Sequence, residues 1–217
     1  MNRFSTDYCI ESQKIYALSG RTETTKNLSE LFYAFLKRII DIVFSAMILI
    51  VFGPLFLFIP ILIVFTSPGP AIIKQQRVGK NGKIFYLYKF RSMKGNVGYA
   101  YSPTTENDKR ITKVGRFLRK TGIDEIPQFI NVIKGEMSIV GPRPEMEFIV
   151  KEYNDFEKRR LSIKPGITGL WQIKGNRKKL IHENIEYDLN YILNKSLMLD
   201  LAIMLETALF MIKNLKK

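Results

Sequence analysis

Residues Arg119 to Pro144 read R-K-T-G-I-D-E-I-P-Q-F-I-N-V-I-K-G-E-M-S-I-V-G-P-R-P, and the rest of the chain is organised around them. Ile126, Phe129, Ile130 and Ile133 recur at helical spacing, which predicts an amphipathic helix after Gly122 that ends near Gly135. Pro127 then falls in its first turn, where an N–H would have no intrahelical partner, and this places the adjacent acids Asp124 and Glu125 at the helix start. Free amides and the positive end of the helix dipole gather there. Two carboxylates at such an end, with Arg119 before them and Arg143 held between two prolines after them, could hold a divalent metal and a phosphate together. The plainer alternative is that Asp124 caps the helix, as acids at helix starts commonly do.

Upstream, Ile42 to Phe65 runs for about two dozen residues without a charge, long enough to span a bilayer. Gly53-Pro54 sits at its centre and Pro60 follows, and proline removes a helical hydrogen bond and bends the axis. A straight helix with a tolerated kink is one solution. The flanks favour another. Lys37 and Arg38 precede the run and Lys74, Arg77, Lys80 and Lys83 follow it, so the preference of basic residues for the cytoplasmic side acts on both ends. A helix that enters, breaks at Gly53-Pro54 and leaves on the same face satisfies both signals. Arg38 and Asp41 share a helical face at headgroup depth, where they would meet lipid or simply each other.

Composition bounds the reading. The 217 residues, 46% hydrophobic and 25% charged, can bury a core and exclude a disordered chain. A net charge of +14 and a pI of about 9.8 call for anionic partners, whether nucleic acid, acidic lipid or phosphorylated substrates. Cys9 is the single cysteine, so no internal disulfide forms and a reducing compartment fits. Residues 1–35 lack a sustained apolar period until Leu31 and carry no secretory signal pattern, which predicts a loosely ordered leader. The expected organisation is that leader, a membrane segment over 36–66 and a domain over 67–217.

Between them, I-I-K-Q-Q-R-V and K-I-F-Y-L-Y-K-F flank Gly79-Lys80-Asn81-Gly82 and predict a β-hairpin. Residues 94–107 read as a loop able to order over a ligand, and a basic helix is expected from about Asp108 to Lys120. No helix-turn-helix, zinc-finger or RNA-binding signature supports a nucleic-acid partner, and next to a membrane segment the basic half more economically meets lipid headgroups or a diphosphate. Downstream, Met137 to Val140 leads into the rigid turn Gly141-Pro142-Arg143-Pro144, whose guanidinium suits two phosphate oxygens at once. Glu145 to Leu161 is expected as a charged, exposed helix. Lys164 to Gln172 is a glycine-punctuated loop, either a plain connector or a place where backbone approaches a ligand. His182 has no partner at catalytic spacing. Ile185, Leu189 and Ile192 mark a helix carrying Asp188, and Leu197 to Leu215 lies on the membrane or the core rather than crossing, because Asp200 and Glu206 interrupt it.

From about Leu36 to Lys217 the chain resembles the bacterial sugar transferase family, the monotopic polyprenyl-phosphate phosphoglycosyl transferases. The residues that carry the resemblance are K-R-I-I-D, Y-K-F-R-S-M, the Asp124-Glu125 pair, N-V-I-K-G-E-M-S-I-V-G-P-R-P, K-P-G-I-T-G-L-W-Q and Y-D-L-N-Y, in this order. The resemblance implies an α/β fold, mainly helical with a small β-hairpin, with a re-entrant membrane helix and interfacial amphipathic helices. It implies an active site on the cytoplasmic face of the bacterial inner membrane and transfer of a sugar phosphate from a nucleoside diphosphate sugar, usually a UDP-sugar, to polyprenyl phosphate with Mg2+. Asp124 becomes the nucleophile and Glu125 its partner for metal or proton, while Lys89, Arg119, Arg143 and Asp188 match further active-site positions. Two departures stand out. Gly53-Pro54 replaces the family's frequent Ser-Pro, and Arg177 follows Gly175 by way of Asn176, one residue out from the family's Gly-Arg.

The residues leave two rivals: a membrane-tethered, non-catalytic module that binds anionic lipid or nucleic acid, and a phosphoesterase using the same aspartate. The sugar, the pathway and a homo-oligomeric state stay open.

Overall fold

Apolar residues from Leu28 onward form helix α1, Leu28–Val51, which begins inside the stretch expected to be a loose leader. Residues 28–94, 108–175 and 184–215 are described in the computed structural model, and the chain divides into two units, Met1–Leu36 and Lys37–Lys217. Of the first unit only the opening turns of α1 are described. The second carries everything that follows.

Helix α1 ends where Pro54, with no N–H to donate, interrupts the ladder. The amides around the break turn back on nearby carbonyls, Gly53 to Ile50 at 3.2 Å and Leu55 to Phe52 at 2.9 Å, and α2 follows over Leu55–Thr66. The two helices are bent by 63°; no single described helix is long and apolar enough to cross a membrane, though this pair together has the length and composition. Pro60 is absorbed within α2 without a second break. One face of α2 packs inward, Ile59 and Ile63 against Phe90 and Leu118, and the Phe56 and Phe90 rings meet at 5.2 Å.

The hairpin forms as expected. Strands β1, Ile72–Val78, and β2, Ile84–Phe90, pair antiparallel from Ile72 opposite Phe90 to Val78 opposite Ile84. A 3-10 turn over Lys80–Gly82 closes it, with Asn81 left-handed at φ 55°. Strand alternation points Phe85 and Leu87 into the main core, where they meet Val132, Met137, Ile139 and Tyr191.

Helix α3 spans Lys113–Thr121, a start later than expected, because Asp108 is held by Arg110 and the Thr112 hydroxyl caps the helix by accepting from Gly115 N at 2.8 Å. Gly122, left-handed at φ 70°, ends it. The single helix expected after Gly122 is instead two pieces: a 3-10 turn, Ile123–Glu125, and α4, Gln128–Lys134, with Pro127 at its N-cap. Asp124 therefore lies before α4 and does not cap it. Strand β3, Ser138–Val140, runs into the Pro142-Arg143-Pro144 turn. The exposed helix expected over Glu145 to Leu161 is broken into α5 (Glu147–Lys151), α6 (Asp155–Lys158, closed by an Asn154/Glu157 capping box) and a 3-10 turn (Arg159–Ser162), and both Glu145 and Arg160 are buried. Strand β4, Gly166–Thr168, pairs parallel with β3, and α7 (Leu170–Lys174), α8 (Ile185–Asn194) and α9 (Leu197–Leu215) complete a mainly helical α/β fold with small two-stranded sheets.

Candidate active site

The acids reach the hairpin because Gly122 turns the chain sharply out of α3 and Pro127 redirects it into α4. Between those corners the 3-10 turn faces β2, and Lys89 Nζ sits 2.7 Å from Asp124 Oδ2 and 3.7 Å from Glu125 Oε1. From the other side Arg143 Nη2 comes within 3.6 Å of the same Glu125 oxygen. Arg119, on the last turn of α3, adds positive charge to both acids. Lys89, Arg119, Asp124, Glu125 and Arg143 are thus brought together, although Lys89 was reached only through the family resemblance.

The two acids differ. Asp124's side chain is 3% exposed and Glu125's 26%. Burial pushes the Asp124 carboxyl above its ordinary value, opposed by Lys89 and reinforced by the charge of Glu125. Burial acts on Glu125 in the same direction, but Arg143 and Lys89 outweigh it and hold that carboxyl below the usual range. Neighbouring acids with opposite shifts have different chemical capacities.

Arg143 is anchored from behind. Gly141 N donates to Thr168 O at 2.9 Å and Gly166 N to Pro142 O at 2.8 Å, so the K-P-G-I-T-G segment lies against the G-P-R-P turn. A Cβ on Gly166 would run into Gly141 N, and one on Gly141 would lie 2.5 Å from Lys164 O. The glycines expected to admit a ligand or merely connect instead admit a second stretch of backbone. Arg160, fully buried, donates from Nη2 to Arg143 O at 2.8 Å, from Nη1 to Tyr153 Oη at 2.6 Å and from Nε to Asp188 Oδ2 at 2.9 Å. Asp188, expected in contact with substrate, is 2% exposed in this pair, and among the described residues its bonded link toward the acid pair runs through Arg160.

Other predicted positions fall elsewhere. Arg38 is half-buried and has protein partners: Nη1 and Nη2 donate to Val132 O at 2.6 Å and Ile133 O at 2.8 Å, at the carbonyl end of α4. Asp41 is buried and accepts from Ile139 N at 3.0 Å, so among the described residues Arg38 and Asp41 bond to separate partners and staple α1 to α4 and β3. Gly53 and Pro54 make the bend. Arg177, His182 and the loop 95–107 lie outside the described residues.

Sequence reasoning missed several contributors. Arg77 lies beside Arg143, and burial together with that neighbour brings its pKa down to about 10. Glu145, whose backbone bridges Val78, has its carboxyl raised by burial against the pull of Arg160, Arg143 and Arg77. Asn131, fully buried, ties α4 to β2 by donating to Tyr86 O at 2.7 Å and accepting from Tyr88 N at 3.1 Å, next to Lys89.

A buried carboxylate held by lysine, a second acid held by arginine and a rigid backbone behind them form a centre suited to phosphoryl chemistry. The chain belongs to the bacterial sugar transferase family, whose pattern matches residues 32–214. It is 41% identical over 213 residues to the galactosyl transferase CpsE of Streptococcus agalactiae, covering 91% of this chain and 47% of that protein. It is 42% identical over 198 residues to the undecaprenyl-phosphate galactose phosphotransferase of Salmonella typhimurium, covering 84% and 41%. The exopolysaccharide production protein PSS of Rhizobium leguminosarum is 40% identical over 189 residues, covering 79% of this chain and 92% of the relative. The chain therefore spans less than half the length of the first two.

Proposed function

We propose that this protein transfers a sugar phosphate from a UDP-sugar to polyprenyl phosphate through a covalent intermediate on Asp124. The observation that carries the reading is the asymmetric acid pair. Lys89 holds Asp124 Oδ2 and leaves Oδ1 as the attacking oxygen, in a desolvated setting that favours a carboxylate nucleophile. Oδ1 attacks the phosphorus that bears the sugar, the bridging P–O bond breaks, and UMP leaves with the electron pair. Arg143, Arg119 and Lys89 offset the charge gathering on the phosphoryl oxygens. Polyprenyl phosphate then attacks the same phosphorus, releasing the Asp124 carboxylate and giving the polyprenyl diphospho-sugar.

Magnesium suits this donor set, because it binds through one or two carboxylates completed by substrate phosphates and water. Asp124 and Glu125 would hold it, with Glu125 the more accessible. When bound, the ion supplies charge neutralisation at the donor diphosphate.

The site is proposed to work at the cytoplasmic face of the bacterial inner membrane, with the α1–α2 pair entering and leaving on that face. Exposed apolar side chains support this, Ile50 at 78% and Phe65 at 85%, together with Leu201, Leu205 and Leu209 along α9. A Lys80→Cys chain in a Cys9→Ser background should react with an impermeant thiol reagent only after the cells are opened. Labelling of intact cells would mean that α1 and α2 span the bilayer.

To test the chemistry, the protein in lipid particles is mixed with Mg2+ and UDP-sugars in turn, UDP-galactose first, without acceptor. One equivalent of UMP, a matching gain in protein mass and its discharge on adding polyprenyl phosphate are expected. Turnover with lipid but no adduct under rapid quench would remove the covalent assignment.

A further inference from the structure

The carbonyl of Arg143 accepts from a buried side chain, Arg160, that the chemistry above does not use and that Tyr153 and Asp188 hold in place. We infer that Arg160 is a positioning residue for the transfer reaction, setting the direction of the Arg143 guanidinium by holding its backbone carbonyl. The inference rests on the proposed reading of the Asp124 site.

The geometry assigns each part of the guanidinium a task. Nε and Nη2 grip Asp188 Oδ2 at 2.9 and 2.6 Å, Nη1 reaches Tyr153 Oη at 2.6 Å, and Nη2 also donates to Arg143 O at 2.8 Å. A planar fork with its bonds made in three directions is fixed in position and rotation, which a lysine ammonium on a flexible stem is not. Arg143 sits between Pro142 and Pro144, so its own φ/ψ is already restricted. Backbone bonds at Gly141 N and Pro142 O fix the turn on its N-terminal side, and the bond from Arg160 to the carbonyl of Arg143 holds the peptide plane that follows the guanidinium-bearing residue. Buried as it is, Arg160 touches neither acid of the pair within ion-pair distance among the described residues. Its bonded contact toward the site is the one to Arg143.

That dependence is what the experiment reads. Single-turnover adduct formation is followed by rapid quench in lipid particles, with UDP-galactose or whichever UDP-sugar the wild-type chain turns over. Wild type, R160K, Y153F, R143K and the two double variants with R143K are compared. R160K keeps a cation beside Asp188 but loses the fork, and is expected to slow adduct formation at least tenfold with donor KM changed less than threefold. Y153F leaves the ion pair intact and is expected to slow it about threefold. On the R143K background each of the two changes should act less than twofold, because the guanidinium they aim is gone. An R160K rate within twofold of wild type overturns the inference, and so do equal losses on both backgrounds, which would mark Arg160 as a fold element only. If R160K does not fold, Y153F is judged by the same cycle, and its failure to slow wild type or its full effect on R143K overturns the inference alone. A wild-type chain that forms no adduct instead removes the proposed reaction itself.

Discussion

Two acid–base assemblies lie a few residues apart in space, one on either side of Arg143. In front, Lys89, Asp124, Glu125 and Arg143 are joined by contacts of 2.7 to 3.7 Å, and Glu125 and Arg143 keep about a quarter and a third of their side chains exposed. Behind, Arg160 and Asp188 are both 2% exposed and bonded in every direction the guanidinium offers. Similar residues serve opposite ends. The closed assembly is satisfied within the protein, so its charges have nothing left to give a ligand. The open one sets Lys89 and Arg143 against two carboxylates and has the charge of Arg119 nearby in addition, and a phosphate is the chemistry that completes it.

The contrast is broken most directly by exchanging carboxylate for amide on each side. Asp124→Asn should lower kcat/KM at least ~10³-fold, about 4 kcal/mol of barrier, because an amide is a poor nucleophile. Its Tm should change little: Lys89 keeps 19% of its side chain exposed and stays 3.7 Å from Glu125, so it is not left buried without a counter-charge. Asp188→Asn should do the reverse in the denaturation measurement, losing about 3–5 kcal/mol of stability because Arg160 is left buried without its counter-charge. If the two substitutions gave the same balance of activity and stability, the distinction between the assemblies would disappear.

Arg143→Lys is expected to cost about tenfold in kcat/KM, about 1.4 kcal/mol, with stability unchanged. A change within twofold would place Arg143 with the structural assembly rather than the reactive one.

The smallest effect is on pH dependence. The acid limb of kcat/KM should lie above pH 3.8, the ordinary value for aspartate, since the nucleophile must be ionised and burial raises its pKa. Glu125's negative charge contributes to that rise, so Glu125→Gln should move the limb to lower pH in whatever activity remains. A limb that moves upward would mean that the observed titration belongs to another group.

Local rules carried much of this molecule. Asn81-Gly82 announced the hairpin because a left-handed turn depends on the residues that occupy it. Gly53-Pro54 announced the bend between α1 and α2 because proline lacks the donor that the ladder needs. The acids beside Arg119 and Arg143 were legible as a charged cluster for the same reason of nearness along the chain. Local rules failed at the start of α4, where the apolar spacing reads through Ile126 and Pro127, yet Gly122 and Pro127 turn the segment into a 3-10 corner with the acids on it.

By itself the sequence determined which residues are apolar, where helices must break, where a hairpin turns and which charges stand near the acids, since each depends on neighbours a few positions away. Tertiary structure alone decided the partners. Asp41 finds Ile139 across 98 positions and Arg160 finds Asp188 across 28, and no spacing rule links such pairs. A charge reads the same in sequence whether water or another residue satisfies it. Only the packing that removes the water made Asp41, Arg160 and Asp188 internal fastenings and left Lys89, Glu125 and Arg143 facing a site.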